Sequence, residues 1–231
     1  MRKNIIFIVL CSLLAGLSPA VQAQKRAAEP KKGTQTEQQI MVTIETNKGT
    51  LKVKLYNETP LHRDNFVKLA KEGYFDSLLF HRVIKGFMIQ GGDPDSRHAA
   101  PDQSLGSGGP DYTIPAEFNR NLFHKRGALA AARDDNPQKA SSASQFYIVQ
   151  GKAWTDEQLD AISRQYGITF TPQQRNIYRT IGGAPFLDMN YTVFGEVVKG
   201  FSVIDKIASV ATNREDRPLE DVRILSVKVE E

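Results

Sequence analysis

The chain has 231 residues, 40% of them hydrophobic, which is enough for one ordinary domain with a sizeable core. Its formal net charge is +4, and beyond the first 23 residues 28 basic side chains stand against 26 acidic ones, a net charge of +2. No stripe of lysine and arginine with interleaved aromatic residues is present, so nucleic acid is a poor candidate for the principal partner. The only cysteine, Cys11, lies near the start, so neither disulfides nor thiolate chemistry is expected to support the fold or a reaction.

The first 23 residues have the pattern of a secretory signal peptide. Arg2 and Lys3 provide the positive start, an apolar run covers residues 5–17, and Val-Gln-Ala at 21–23 is a small-x-small cleavage site. The run is too short to cross a bilayer comfortably, so no stable membrane insertion is expected after cleavage; the alternative is an uncleaved amphipathic anchor. Residues 24–39 have no aromatic and almost no aliphatic side chain, which predicts a flexible tether. We expect export, to the periplasm of a bacterium with two membranes and otherwise by secretion.

The domain predicted over residues 40–231 begins with strand patterns. Two alternating runs, at 40–45 and 51–55, are joined by a turn and predict a hairpin with one buried face. Thr59 and Pro60 are typical of a helix start, with threonine as the cap and proline in the first helical position.

Further along, residues 94–110 are rich in proline and glycine and are predicted to form a surface loop. Gly106 to Gly109 are not interpreted as a phosphate cradle, because no strand precedes them and no helix follows. A brief helix is predicted around 203–208 and a last strand at 225–229. Apart from residues 154–183, the chain has many short strand patterns and only two predicted helices. This indicates an all-β domain, either a barrel or a sandwich.

Residues 154–183 interrupt this strand pattern and predict two short helices. Thr155 begins a capping box before the first helix, and Thr171 begins a second one. Ile177 and Ile181, four residues apart, are expected on the buried face of the second helix. The segment is either a solvated decoration or a docking surface for a partner.

Four blocks carry the candidate chemistry. They are FHRVIKGFMIQGGD at 80–93, GALAAAR at 127–133, SQFYIV at 144–149 and FLDMNYTVFGEV at 186–197. In the first block Arg82 stands among apolar residues, where a guanidinium usually has a carboxylate or carbonyl partner. Taken alone, Arg82 therefore fits a structural ion pair better than a functional role.

The four blocks in this order resemble the cyclophilin family of peptidyl-prolyl isomerases, particularly its bacterial members, over roughly residues 40–229. The resemblance implies a closed eight-stranded antiparallel barrel capped by two helices, with residues 154–183 inserted where the family generally has a short connection. It implies a monomeric enzyme without cofactor or metal, acting on proline-containing polypeptides. The alternative function is a proline-segment-binding chaperone module with little turnover.

By the same resemblance, Arg82 is the catalytic residue, whose guanidinium hydrogen-bonds the prolyl amide and stabilises its twisted state. Ala132 and Arg133 fall on an edge that pairs with the peptide through main-chain groups, so the side chain of Arg133 is expected to matter less. The positions assigned to substrate binding are Phe87, Met88, Gln90, Ala132, Arg133, Gln145, Phe146, Tyr147, Phe186, Leu187 and Tyr191.

Phe186 stands where cyclosporin-binding members carry tryptophan, which implies weak binding of that drug. Trp154 is a rival for the position, although the sequence that follows Phe186 favours Phe186. Tyr191 stands where many members have histidine and bacterial ones often have tyrosine.

The chemistry of the prolyl bond agrees with these residue types. Resonance gives the bond a rotation barrier of about 18–20 kcal/mol, and a catalyst must favour the twisted amide without breaking a bond. This requires a rigid apolar slot for the ring and a fixed hydrogen-bond donor, but no nucleophile or metal. The four histidines of the chain show no metal-ligand spacing, and His81 is expected to be a hydrogen-bonded structural residue.

Overall fold

The computed structural model describes residues 39–230. The predicted signal peptide at 1–23, and the predicted tether except for its last residue, lie outside the described residues. Within 39–230, no helix combines the length and the apolar character needed to cross a membrane.

Ten strands and four α-helices occur in this part of the chain. The strands are β1 (Met41–Thr46), β2 (Gly49–Leu55), β3 (Arg82–Ile84), β4 (Met88–Gly91), β5 (Thr113–Ile114), β6 (Ala128–Ala131), β7 (Ser141–Ser142), β8 (Phe146–Val149), β9 (Val193–Lys199) and β10 (Ile224–Val229). The α-helices are α1 (Pro60–Lys71), α2 (Asp156–Tyr166), α3 (Pro172–Thr180) and α4 (Phe201–Ala208). Short 3-10 helices cover Pro94–His98 and Pro185–Leu187.

Eight strands form one curled antiparallel sheet in the order β10-β1-β2-β9-β6-β8-β4-β3, and β5 pairs separately with β7. The two edge strands, β3 and β10, share no ladder. Instead, Phe80 N donates to Val222 O and Ile224 N donates to Leu78 O, each over 2.8 Å. The fold is therefore mostly β, a half-barrel with helices, and its continuous pairing stops short of the closed barrel that the resemblance implies.

Strand alternation decides which side chains reach the main core. Val42 and Ile44 of β1 are fully buried and lie opposite Val53 and Leu51 of β2. Side chains directly opposite each other on antiparallel strands share a face, so these four meet inside the curled sheet. Helices α1 and α4 cover this inner face with apolar residues. Burying a side chain of this size contributes about 1.5–3 kcal/mol to the stability of the fold. The pairing of β1 with β2 confirms the predicted hairpin.

Helix α1 begins at Pro60 with Thr59 at the N-cap position, as predicted, but the Thr59 side chain does not provide the cap. The Thr59 side chain makes no capping hydrogen bond. The backbone N–H groups of Leu61 and His62 instead donate to the carboxylate of Glu117, over 3.0 and 2.9 Å. A carboxylate is favourable there because the N-terminus of a helix carries partial positive charge. The cap comes from a distant loop, which local sequence does not reveal.

The insertion forms the two predicted helices, α2 and α3, and both predicted capping boxes are present. Its small apolar cluster contains Leu159, Phe170 and Tyr178. Ile181, predicted on the buried face, is exposed, and Tyr178 fills that place. The buried positions of α3 are Gln174 and Tyr178, four residues apart, so the buried face runs one residue away from the predicted pair Ile177 and Ile181.

Candidate active site

Three neighbouring strands bring the predicted polar residues together. Arg82 of β3 lies opposite Gln90 of β4, and Gln90 lies opposite Tyr147 of β8. The intervening residues, such as Val83 and Ile89, point to the other face and are buried in the main core. The period of two therefore gathers Arg82, Gln90 and Tyr147 on the outer face of the half-barrel.

A cavity of about 340 Å³ opens on this face, a volume within the range typical of small-ligand sites. Eight of the predicted site residues line it. They are Arg82, Phe87, Met88, Gln90, Arg133, Tyr147, Leu187 and Tyr191. Met88 and Tyr147 are buried in a second apolar cluster, to which Phe87, Leu187 and Tyr191 add partly buried surface. The cavity thus has an apolar wall with polar groups beside it.

Arg82 lies in the cavity wall with its side chain 44% exposed. Its Nε is 3.5 Å from the carboxylate Oδ2 of Asp216, and the backbone oxygen of Asp216 accepts from Val83 N over 2.8 Å. An ion pair this exposed is worth at most about 1 kcal/mol, so its main effect is on where the guanidinium points. Arg82 therefore does form an ion pair, as the structural interpretation predicts, and its side chain still faces the cavity.

Gln145 supports the site from beneath. Its Oε1 accepts from Gln90 Nε2 over 3.0 Å, and its own Nε2 donates to the carbonyl oxygens of Gly106 and Gly108. Asp93, fully buried, accepts from the N–H groups of the same two glycines. The glycine-rich loop is therefore fixed against the site by side chains on both sides, and Gly106 lines the cavity. The prediction of a plain surface loop missed this role.

The side chain of Arg133 also contributes to the cavity, although the resemblance implies that it matters less than the main chain. Its guanidinium carbon lies 4.7 Å from the ring centroid of Tyr191, and its Nε donates to Asn190 O over 3.1 Å. Tyr191 in turn packs edge-on against Tyr147, at 6.0 Å between centroids. These contacts order one side of the cavity.

Four predicted residues do not line the cavity. Gln145 lies beneath it, and Phe146, on the opposite face of β8, packs in the main core. Ala132 uses its own backbone groups within the protein, donating to Gln145 O and accepting from Ser142 N. Phe186 packs between Phe87 and Trp154, with centroid distances of 5.4 and 6.1 Å. The two rivals for the family's tryptophan position therefore touch each other.

Sequence reasoning missed six lining residues. They are His81, Gln103, Leu105, Gly106, Glu215 and Arg217. Arg217 is buried, and its guanidinium donates to the carbonyl oxygens of Ala100 and Gln103, so it holds the loop over the cavity. A buried arginine late in the chain gives no local signal of this contact, because its partners are carbonyl groups of any residue type.

His81 is buried, and its ring nitrogens have no hydrogen-bond partner among the described residues. The expectation of a hydrogen-bonded residue is therefore wrong. Burial lowers the pKa of His81 from 6.5 to about 4; nearby Asp93 opposes the shift and the cations Arg82 and Arg217 add to it. The imidazole is neutral near pH 7.

Residues 39–230 contain no group of three or more histidine, cysteine or acidic side chains placed to hold a metal ion.

Comparison with known proteins agrees with this geometry. The family model described as "Cyclophilin type peptidyl-prolyl cis-trans isomerase/CLD" matches residues 41–229. A protein of Staphylococcus aureus strain USA300 named "Putative peptidyl-prolyl cis-trans isomerase" is 39% identical over 195 residues, covering 84% of this chain and 93% of the relative. A protein of the same name from Staphylococcus epidermidis is 37% identical over 197 residues, covering 84% and 94%.

Solved structures show the same fold. The crystal structure of a cyclophilin type peptidyl-prolyl cis-trans isomerase of Cryptosporidium parvum matches with a TM-score of 0.64 and 24% identity, over 84% of this chain and 99% of that one. A second structure of that protein, in the presence of the dipeptide Ala-Pro, matches with a TM-score of 0.62 and 24% identity, over 83% and 99%.

Proposed function

Because the chain belongs to the cyclophilin family and is a peptidyl-prolyl cis-trans isomerase, we propose that Arg82 is its catalytic group and that the 340 Å³ cavity receives the proline of its substrates. The observation that carries the proposal is the position of Arg82, a permanently charged donor beside an apolar wall that includes Met88 and Leu187. The Ala-Pro dipeptide used with the Cryptosporidium parvum relative is consistent with a proline-containing ligand.

The mechanism follows from the chemistry of the twisted amide. When the prolyl bond rotates, resonance is lost and the nitrogen becomes a better hydrogen-bond acceptor. A guanidinium aimed at that nitrogen binds the twisted state more strongly than either planar isomer, which lowers the barrier. Asp216 holds the guanidinium in place from outside the cavity, and Phe87, Met88 and Leu187 hold the ring while the preceding carbonyl turns.

The test is cis/trans exchange of a short Ala-Ala-Pro-Phe type peptide, measured by NMR with substoichiometric protein. We expect Arg82→Ala to lower kcat/KM by about 10²-fold or more, the usual cost of removing one preorganised donor, with little change in stability because the side chain is half-exposed. Arg82→Lys keeps the charge but not the planar fork and is expected to recover only part of the rate.

The matched control is Arg179→Ala, which removes an arginine on α3 whose partner is Asp156, away from the cavity. It is expected to keep the wild-type rate. Full activity in Arg82→Ala would reject the catalytic role. A folded protein that bound proline peptides without accelerating exchange would favour the chaperone function instead.

We further propose that the substrates are exported polypeptides and that the protein is a bacterial, monomeric, periplasmic enzyme assisting their folding. The signal-like pattern of the first 23 residues supports export, and the bacterial relatives support the source. We also propose that the half-barrel behaves as a closed barrel, supported by the hydrogen bonds of Leu78 and Phe80 to the start of β10 and the residues before it.

A further inference from the structure

We propose that the helical insertion positions the proline slot through a buried relay of four side chains, Tyr178, Asp188, His124 and Tyr147. Tyr178 belongs to α3 of the insertion, and Tyr147 lines the cavity. The inference rests on the proposed function, since it takes that cavity as the substrate site. It makes the insertion part of the site's support and assigns Tyr178 as a positioning residue.

The relay is continuous and closely bonded. Tyr178 Oη donates to Asp188 Oδ2 over 2.7 Å. Asp188 Oδ1 is 2.8 Å from His124 Nδ1 and also accepts from His124 N over 2.9 Å. His124 Nε2 is 3.0 Å from Tyr147 Oη. All four side chains are buried, so solvent competes little with these bonds.

The carboxylate fixes the direction of the bonds that are made to it. Asp188 can only accept, so His124 Nδ1 must carry a proton and donate it. In the neutral ring Nε2 is then an acceptor, and the hydroxyl of Tyr147 donates to it. Burial raises the pKa of both Tyr147 and Tyr178 well above 10, so both remain phenols that can donate. For a neutral imidazole, the relay therefore has a single arrangement of protons.

This arrangement has two consequences for the cavity. In this arrangement the hydroxyl hydrogen of Tyr147 points to His124 and away from the substrate, while its ring lines the cavity nearly parallel to the imidazole, at an interplanar angle of 14°. Asp188 directly follows Leu187, so the same carboxylate anchors the turn that carries Leu187 into the cavity.

A second tie joins the insertion to the same histidine. The backbone N–H of Ala184, just after the insertion, donates to His124 O over 2.8 Å. Gly183 approaches this backbone so closely that a Cβ there would lie 2.2 Å from His124 O and 2.6 Å from the Tyr178 ring. The insertion and the His124 segment therefore pack as one piece, and movement of α3 is transmitted to Tyr147 and Leu187.

The experiment is a double-mutant cycle on the mature protein, which lacks only the predicted signal peptide. The rate of cis/trans exchange of the same peptide is measured by NMR. We expect Tyr178→Phe and Tyr147→Phe each to lower kcat/KM by about fivefold, the scale of one lost hydrogen bond to a charged or coupled group. If Tyr178 acts through Tyr147, the double variant loses no more than Tyr147→Phe alone. Losses that multiply would show that Tyr178 and Tyr147 act independently of each other and would overturn the proposed coupling between them.

Two further measurements keep the outcomes separate. The ¹⁵N spectrum of the wild-type imidazoles should show His124 with its proton on Nδ1; a proton on Nε2 alone would overturn the relay without any variant. Tyr166→Phe alters an exposed tyrosine of the same insertion and should keep the wild-type rate. If the wild-type protein itself fails to accelerate exchange, the proposed function is wrong. The relay is still tested in that case, because the imidazole spectrum does not depend on activity.

Discussion

Polar side chains inside this protein act mainly by holding backbone. The buried carboxylate of Asp93 accepts from the N–H groups of Asp95, Gly106 and Gly108, which a buried charge needs if it is not to cost several kcal/mol. Arg217 does the reverse, donating to the carbonyl groups of the same loop. An anion and a cation thus bracket one wall of the cavity, while the exposed Arg82 remains available to substrate.

His81 predicts a pH dependence of stability. Its folded pKa, about 4, lies below the ordinary 6.5, so between these values the unfolded chain binds a proton that the folded chain does not. Stability from this residue is complete above pH 6.5 and falls as the pH drops toward 4. His62, whose pKa is also lowered by burial, acts in the same direction.

We expect the free energy of unfolding in urea to fall by about 2 kcal/mol from His81 between pH 7.5 and 5. His81→Gln should remove that part of the slope, whereas His98→Gln, which alters an exposed histidine, should keep it. Parallel pH profiles for wild type and His81→Gln would contradict the assignment.

At the scale of elements, the junction between β4 and the following loop depends on a close approach of two backbones. Gly92 has φ of +94°, and a Cβ there would lie 2.1 Å from Ser144 O, just before β8. Only glycine fits, and the fit places Gln145 beneath Gln90 and the loop. The site therefore depends on the packing of these segments as much as on its own side chains.

Gly92→Ala is expected to lower the free energy of unfolding by more than about 3 kcal/mol, because strain at positive φ adds to a steric clash with backbone. Gly86→Ala is the matched control: φ is +76°, but no atom lies within 4 Å of the added Cβ. It should cost only about 1–2 kcal/mol, the conformational strain alone. Equal losses in urea unfolding would show that the clash is relieved elsewhere.

At the scale of the whole molecule, the curled sheet separates two apolar clusters. The inner one, under α1 and α4, is the main core, and the outer one carries the cavity. The insertion adds a third cluster, which shares Phe186 with the outer one. The site therefore lies where the curled sheet meets the inserted helices.

The proposed export predicts a defined mature end. Expressed in a bacterium with two membranes, the chain should be recovered from the periplasm with Gln24 as its first residue, as judged by mass spectrometry of the intact protein. A variant with Arg2 and Lys3 changed to Glu should accumulate uncleaved in the cytoplasm. Full-length wild-type protein starting at Met1 and held at the membrane would instead support the uncleaved anchor.

Local sequence predicted the first hairpin and the inserted helices, and the family resemblance identified most of the cavity residues. Alternation over 40–55 specified the hairpin, Thr155 and Thr171 marked the inserted helices, and the four blocks supplied eight lining residues. Strand period and helix capping are local signals because they depend on neighbouring residues, whereas the site residues are assigned from the family resemblance of the four blocks.

Only the tertiary structure decided how distant segments meet. The pairing of Arg82 with Asp216, the cap that Glu117 gives to α1 and the relay from Tyr178 to Tyr147 each join residues far apart in the chain. A carboxylate or a phenol has the same local sequence signature whether its partner is water or a buried imidazole. The partner is chosen by the packing of the sheet and insertion, which one sequence read in order does not contain.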